Sequence, residues 1–275
     1  MYIVDFEYDG KVLSDYHGIL CNFSSTSNDE RSFGVDLTWN TVNVNNRFEK
    51  TSSTYDTAYQ ATLEFIKNNC EDFNDWKFSE EEIQFFQRWL RQEKYRKFKP
   101  IFNDGSYEDV YFNATFTTIN PIVVSGDVIG FSLTILTDSP YGFREEVAVE
   151  NDDECTVLYE SDDYGYIYPV VSIKCYEDGN LELSNSMLSS NEKTIVNNVS
   201  VGETISFSGH TKQITSEVLS GTPSHEKIYN DFNYKYPKLV RENINGVDST
   251  TNIFTTNLNA TITVQYSPIT RVGII

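Results

Sequence analysis

The feature that most constrains the fold is an alternation of apolar and polar residues, interrupted by tight turns, over most of the 275 residues. Val4, Phe6 and Tyr8 alternate with other residues immediately before Asp9-Gly10. An Asp-Gly pair that follows such alternation is among the strongest short signals of a β-hairpin. Short strands joined by tight turns predict a β-sandwich or a barrel.

One segment departs from this alternation and has the marks of an α-helix. Ser79 precedes Glu82 by three residues, which is the spacing of a capping box at a helix start. Apolar residues then recur at helical spacing, at Ile83, Phe86, Trp89 and Leu90. We expect this stripe, and Trp89 with it, to pack on the sheet. Pro100 is predicted to end the helix, because proline lacks the backbone N–H that the helix needs.

A turn-rich segment, 137–142, separates two sets of strand patterns, so the sequence predicts two domains, 1–143 and 144–275. The second half holds six or more short strands, with hairpin signals at 177–180 and 201–203. The polar stretch 220–249 is predicted to be an excursion, with Tyr229 to Tyr236 packed on the sheet. The fold class is therefore mainly β, with an N-terminal β-sandwich or barrel-like domain that carries one amphipathic helix, followed by a second β-sandwich.

The charge balance excludes some partners. The chain has 21 Lys and Arg against 41 Asp and Glu, which gives a formal net charge of −20. Such a chain is repelled by the phosphates of nucleic acids and by anionic lipid headgroups. No apolar stretch approaches the roughly 18 residues of a membrane-spanning helix, and the N-terminus lacks the pattern of a secretory signal. We expect no membrane partner and no specific binding of DNA.

No motif in the sequence points to an enzyme, so we predict no catalytic residues, no cofactor and no metal site. The cysteines, Cys21, Cys70, Cys155 and Cys175, are scattered and are expected to be free thiols, with a Cys155–Cys175 disulfide as the alternative. The histidines, His17, His210 and His225, have no metal-binding spacing and are expected to be exposed. Nucleophile-elbow and phosphate-binding motifs are absent from the sequence.

The acidic clusters and the basic run in the sequence each allow more than one interpretation of their role. Asp152-Asp153-Glu154 and Asp162-Asp163 are interpreted as solvated loop residues, with Ca²⁺ binding or glycosidase-type catalysis as alternatives. The basic run comprises Arg88, Arg91, Lys94, Arg96, Lys97 and Lys99. It is interpreted as the cationic end of the helix, where it would complement the helix dipole, or else as a contact with an acidic neighbour.

Tyrosines near the start of the second half suggest a further alternative. They are Tyr159, Tyr164, Tyr166 and Tyr168. Core packing explains most of them, whereas an exposed group would form a platform on which sugar rings stack.

Several segments together resemble the distal tail protein (Dit) family of long-tailed bacteriophages. In the first half they are Phe6-Glu7-Tyr8-Asp9-Gly10, Phe78-Ser79-Glu80-Glu81-Glu82-Ile83 leading to Arg88-Trp89-Leu90, and Ser125-Gly126-Asp127-Val128-Ile129-Gly130-Phe131 leading to Tyr141. In the second half they are Leu181-Glu182-Leu183, Val201-Gly202-Glu203-Thr204-Ile205 and Ala260-Thr261-Ile262-Thr263-Val264, which look like the strands of that family's galectin-like module. The order and spacing of these segments carry the resemblance, which covers nearly the whole chain.

The resemblance implies a structural virion protein at the tail tip, assembled in the cytoplasm of the bacterial host. Such proteins form a homo-hexameric ring through the N-terminal domain. The ring joins the tail tube protein to the tail-associated hub or lysin protein and to receptor-binding or baseplate proteins, and DNA passes through it. Galectins hold sugar beside a Trp, and Trp89 is the last Trp of this chain, so sugar binding by that route is not expected. The alternative function is a carbohydrate-binding module that recognises host cell-wall polysaccharide; a secreted glycosidase is disfavoured.

Overall fold

The structure is a computed structural model that describes residues 3–21, 37–44, 48–55, 58–68, 76–163, 165–218, 225, 227–244 and 247–271. The chain forms two compact units. The first consists of Met1–Arg144 together with Thr270–Ile275, and the second of Glu145–Ile269. The chain thus returns to the first unit at its end.

The first unit is built on one large antiparallel sheet. The strands of this unit are β1 (Ile3–Tyr8), β2 (Lys11–Val12), β3 (Gly18–Leu20), β4 (Leu37–Val44), β5 (Phe48–Tyr55), β6 (Gln60–Lys67), β7 (Arg96–Phe102), β8 (Val110–Val124), β9 (Asp127–Thr137) and β10 (Gly142–Arg144). The sheet has the order β2-β1-β7-β8-β9-β6-β3, and β4 and β5 pair with each other as a separate hairpin. β10 pairs with β8 and with the terminal strand β23 (Ile269–Thr270). A 3-10 helix, Leu13–Tyr16, follows β2.

The predicted helix is present as α1 (Glu80–Leu90), and the capping box is confirmed at its start. Its predicted end was wrong, because α1 stops ten residues before Pro100. The side-chain amide of Gln92 donates hydrogen bonds to the carbonyl oxygens of Arg88 and Trp89, which satisfies acceptors that the last turn leaves free. Pro100 lies in β7 opposite Phe6, beyond the part of β7 that pairs with β8, so its missing N–H is tolerated there.

The core of the first unit is dominated by aromatic rings from the sheet and from α1. Its fully buried aromatic residues include Phe6, Tyr8, Phe65, Phe86, Phe98, Phe112 and Phe131. Trp89 is 3 % exposed, which confirms the predicted burial. Its indole N–H donates a hydrogen bond of 2.8 Å to the carbonyl oxygen of Tyr8. The helix is therefore fastened to β1 by both packing and a hydrogen bond.

The second unit is a sandwich of two antiparallel sheets. Its strands are β11 (Val147–Asp152), β12 (Glu154–Leu158), β13 (Gly165–Ile167), β14 (Val170–Cys175), β15 (Gly179–Asn185), β16 (Thr194–Val199), β17 (Thr204–Ser208), β18 (Gln213–Glu217), β19 (Leu239–Ile244), β20 (Val247–Ser249), β21 (Thr251–Thr256) and β22 (Ala260–Tyr266). The sheets β11-β22-β14-β17-β18 and β12-β21-β15-β16 enclose one apolar core, and β13-β19-β20 form a third, smaller sheet. Short helices lie at Ser190–Glu192 and at α2 (Ile228–Asp231). The predicted mainly β fold with one amphipathic helix is confirmed.

The predicted excursion is only in part an irregular segment. Residues 239–244 and 247–249 are strands β19 and β20, while 219–224, 226 and 245–246 lie outside the described residues. Phe232 and Tyr236 are buried in the core, as expected, whereas Tyr229 and Tyr234 are exposed. Tyr229 lies in the helix α2 and Tyr234 has a positive φ of 61°, so the side chains of this segment do not alternate as those of a strand would.

The described cysteines, Cys21, Cys155 and Cys175, are free thiols, and Cys70 lies outside the described residues. The alternative Cys155–Cys175 disulfide is therefore wrong. Both thiols are buried in the sandwich core, and burial raises the pKa of Cys155 to about 11 and that of Cys175 to about 12. Because the thiolate is the reactive form, these two residues act as small apolar side chains at neutral pH.

Candidate assembly interface

Two anchors fix α1 over the large sheet. At its first turn, the Lys67 ammonium lies 2.9 Å from the carboxylate of Glu82, which also accepts the N–H of Ser79. Burial opposes the charge of Glu82, but these hydrogen bonds outweigh it and hold the pKa of Glu82 below its ordinary value. At the last turn, Trp89 bonds to β1. The helix face that contains Ile83 and Gln87 is thereby left pointing away from these anchors.

A groove of about 380 Å³ runs between this face of α1 and the strands β8 and β9. The helix contributes Ile83, Gln87 and Arg91, at the end of the helix, and the strands contribute Phe116, Thr117, Thr118, Ile119, Pro121, Val128 and Phe131. Six of these ten lining residues are apolar, three are Gln or Thr, and one is Arg. This composition is typical of a protein contact, in which an apolar centre is bordered by Arg.

The part of β8 that lines the groove also forms a free strand edge. Residues 112–114 pair with β7, but within the described residues 118–124 pair with β9 alone. Pro121 lies in this edge and cannot donate a hydrogen bond, which discourages indiscriminate strand addition. Val123 and Val124, at the tip, are 53 % and 46 % exposed. We call residues 117–124 together with the groove the β8 edge.

A close strand contact explains a glycine of the Dit-like segment. Gly130 in β9 lies opposite Ile66 of β6. A Cβ at Gly130 would lie 2.2 Å from the carbonyl oxygen of Phe65, so only glycine fits. The Ser125-Gly126 turn, with positive φ at both residues, then reverses the chain between β8 and β9. The register of the β8–β9 pair shifts at Phe116/Thr118 and again at Ile122/Val123, on the two sides of the central part of the β8 edge.

Only the first part of the basic run lies at the end of the helix, as one interpretation had it, because Arg88 is in the last turn of α1 and Arg91 is its C-cap residue. Only Arg88 belongs to α1, and Arg96, Lys97 and Lys99 lie in β7. The Arg96 guanidinium is 3.9 Å from the Asp9 carboxylate, and the Lys97 ammonium lies 4.3 Å from the ring centre of Tyr111. The run is thus spread over a helix turn, a loop and a strand, because α1 ends early.

The acidic cluster 152–154 belongs to the connection between β11 and β12. Asp152 accepts a hydrogen bond of 2.6 Å from the Thr261 hydroxyl, and Asp153 accepts the N–H of Ala260. Asp153 has a φ of 59°, as turn residues often do. Among the described residues, no group of three or more His, Cys, Asp or Glu side chains is arranged to hold a metal ion. No helix in the described ranges is long and apolar enough to cross a bilayer.

His225 is not the exposed side chain that the sequence predicted. Its Nδ1 lies 2.9 Å from the Glu203 carboxylate and its Nε2 lies 3.1 Å from the Asp231 carboxylate. Glu203 is 1 % exposed and also accepts the hydroxyl of Ser216. The imidazole therefore connects the residue before β17 to α2, and Glu203 extends this network to Ser216 in β18. His17 and His210 are exposed, as expected.

The four tyrosines of the predicted sugar platform are not one group. Tyr159 is buried against Tyr266, and Tyr164 lies outside the described residues. Tyr166 is exposed and meets the half-buried Tyr168 edge to face. Sequence reasoning missed that these two lie beside residues from distant segments: Lys212, Tyr234, Tyr236 and Lys238. The only signal was the local density of Tyr and Lys at 234–238.

Comparisons with known proteins bear on the whole chain. Residues 1–139 match the family model described as the phage tail protein N-terminal domain, and residues 141–266 match the phage tail C-terminal domain. No curated protein is significantly similar in sequence.

Among solved structures, this chain is similar to the SPP1 Dit (gp 19.1) protein, with a TM-score of 0.61 and 10 % sequence identity. The match covers 97 % of this chain and 99 % of the SPP1 chain. The SPP1 protein is described as a paradigm of the hub adsorption apparatus in phages that infect Gram-positive bacteria. Chains of the phage P2 baseplate in its activated conformation, with Ca and with Sr, have TM-scores of 0.44 and 0.45 at 11 % identity, over 96 % of this chain and 98 % of theirs. The chain belongs to the phage tail protein family and is a virion tail component with the fold of a distal tail (Dit) hub protein.

Proposed function

We propose that the chain forms a hexameric ring through residues 1–143 at the distal end of a phage tail. The observation that carries the proposal is the β8 edge, where a partly apolar groove and exposed valines lie on a strand segment that pairs with β9 alone among the described strands. Closing a ring head to tail requires two different patches on each subunit, and this surface supplies one of them. Its mixture of apolar side chains and Arg suits a protein contact.

The ring would join the tail tube protein on one side to the tail-associated hub or lysin protein on the other. Residues 144–275 would lie outside the ring, near receptor-binding or baseplate proteins, and assembly would take place in the host cytoplasm. The net charge of −20 suits a channel through which DNA passes, because an acidic wall repels phosphate and does not trap it. In this role the protein is a scaffold and not an enzyme.

The ring is tested by introducing charge at the tip of the β8 edge. We expect the purified protein to have the mass of six chains of 31.6 kDa each. The double variant Val123→Asp, Val124→Asp is expected to be monomeric, since burying two carboxylates in an apolar contact is strongly unfavourable. Native mass spectrometry and negative-stain electron microscopy measure the result.

The matched control is Val247→Asp, which changes an exposed valine of the second unit. Circular dichroism should show that all variants are folded, because the changed side chains are exposed. A monomeric wild-type protein, or a hexamer that survives the double variant, would refute the assignment of the ring contact to the β8 edge.

A further inference from the structure

The second unit contains a small pocket lined by tyrosines and lysines. Its volume is about 180 Å³, and it is lined by Tyr168, Glu192, Lys212, Tyr234, Lys235, Tyr236 and Lys238. These residues come from the loop after β13, the 3-10 helix Ser190–Glu192, the turn between β17 and β18, and the segment before β19. Clefts for drug-sized ligands measure about 300–1,000 Å³, so this pocket has room for a single ring.

The pocket concentrates positive charge in an acidic protein. Three of its seven lining residues are lysines, although the whole chain has a net charge of −20. Lys238 is paired with Glu192 at 3.1 Å, and this hydrogen bond raises the pKa of Lys238. Lys235 donates to the carbonyl oxygen of Asn191. In the described part of the chain, no carboxylate lies within ion-pair distance of Lys212, so the pocket keeps an excess of cations.

Lys212 is positioned by aromatic rings and not by an acid. Its ammonium lies 3.6 Å from the ring centre of Tyr168 and 5.0 Å from that of Tyr236. The Tyr168 ring is itself held against Gly209, where a Cβ would lie 2.5 Å from the ring. The cation is thus fixed by cation–π contacts before any ligand binds, which lowers the entropy loss of binding an anion.

Aromatic faces and polar groups complete the pocket. Tyr234 is 64 % exposed and packs on Phe232, while Tyr236 is buried against the same ring. The exposed ring of Tyr234 offers a flat apolar surface, and the Glu192 carboxylate and the tyrosine hydroxyls offer hydrogen-bonding groups. Stacking on an aromatic ring together with hydrogen bonds from its edge suits the alternating C–H and O–H groups of a sugar.

From these observations we propose that the pocket binds an acidic saccharide, with a sugar ring stacked on Tyr234 and its carboxylate or phosphate group held by Lys212 and Lys235. A long nucleic acid is a poor candidate, because the chain's net charge of −20 repels a dense polyanion. The proposal is independent of the ring, since every residue of the pocket lies within the second unit.

The test is ligand titration of the full chain by NMR and calorimetry. The probes are glucuronic acid, glucose 1-phosphate, neutral glucose and inorganic phosphate. We expect at least one of the two acidic sugars to bind at least tenfold more tightly than glucose and than inorganic phosphate. The preference between glucuronic acid and glucose 1-phosphate identifies the acidic group that the site accepts.

Two variants locate the site. Lys212→Gln and Tyr234→Ala are each expected to weaken binding of the acidic sugar at least fivefold. The matched control is Lys174→Gln, because Lys174 also lies over a tyrosine, Tyr176, at 5.7 Å but does not line the pocket. The proposal is overturned if neither acidic sugar binds more tightly than glucose, if inorganic phosphate binds equally well, or if Lys174→Gln weakens binding as much as Lys212→Gln.

Discussion

Replacing Trp89 with alanine is expected to lower the free energy of unfolding of the first unit by about 3–5 kcal/mol. The indole is 3 % exposed and lies against the rings of Phe6, Tyr16 and Phe86, with centre-to-centre distances of 5.5–6.2 Å. Truncation leaves a cavity that close-packed neighbours fill only in part. It also removes the only hydrogen bond described for the buried indole N–H, to the Tyr8 carbonyl oxygen.

Urea unfolding followed by circular dichroism measures this loss. Trp89→Phe keeps a ring in the core but removes the N–H donor, so we expect a smaller loss of unfolding free energy than for Trp89→Ala. The difference between the two losses separates the contribution of packing from that of the hydrogen bond. Trp76→Ala is the matched control, since Trp76 is 43 % exposed. If Trp89→Ala is as stable as Trp76→Ala, the helix is not fastened to β1 as described.

Features with a local chemical cause were predictable from the sequence. The capping box at Ser79 and Glu82 depends on side chains three residues apart, and the turns at Asp9-Gly10 and Ser125-Gly126 depend on residues that tolerate a positive φ. The alternation of strand residues, for example in β22, gives the burial pattern directly. These signals sufficed for the fold class.

The end of α1 was not predictable in this way. Pro100 is the obvious helix breaker in the sequence, but the helix had already ended through the side-chain amide of Gln92. Glutamine is common inside helices, so its role as a cap depends on how the following residues turn. The position of Pro100 in β7 in turn depends on which neighbours that strand has.

The contacts between polar groups in the second unit were also not predictable from the sequence. His225 is largely buried because Glu203 and Asp231 meet its two nitrogens, and these residues are 22 and 6 positions away. Tyr168 and Lys212 come together through the sandwich and not through spacing along the chain. The sequence alone does not show that the fold brings these residues together. For this reason neither the histidine network nor the pocket was predicted.

Replacing Asn252 with leucine is expected to destabilise the second unit by about 3–5 kcal/mol, although leucine has a similar size. Asn252 is fully buried in β21. Its Oδ1 accepts the N–H of Val240 and an amide N–H of Asn185, and its Nδ2 donates to the carbonyl oxygens of Val240 and Thr250. Leucine leaves several of these buried groups without this partner, at about 1–3 kcal/mol for each group left unsatisfied.

The expected effect is largest where β19 meets β21, because the Asn252 side chain accepts the N–H of Val240 and donates to its carbonyl oxygen. Hydrogen exchange measured by mass spectrometry should show that Asn252→Leu accelerates exchange, relative to the wild type, more at residues 239–244 than in β14. Ser184→Ala is the control: its half-buried hydroxyl bonds to that of Thr255 at 2.8 Å, so we expect a loss of about 1 kcal/mol or less. Unchanged protection of β19 in Asn252→Leu would contradict the role given to Asn252.

The same network connects stability to the proposed saccharide pocket. Asn185 donates one hydrogen bond to Asn252 and another, of 2.7 Å, to the carbonyl oxygen of Lys238, which lines the pocket. Loosening β19 should therefore displace Lys238 and the preceding tyrosines. We expect Asn252→Leu, at temperatures where it remains folded, to weaken binding of the acidic sugar, whereas Ser184→Ala leaves it unchanged. If Asn252→Leu binds the sugar as the wild type does, the pocket is held by the Phe232 and Tyr236 core contacts alone.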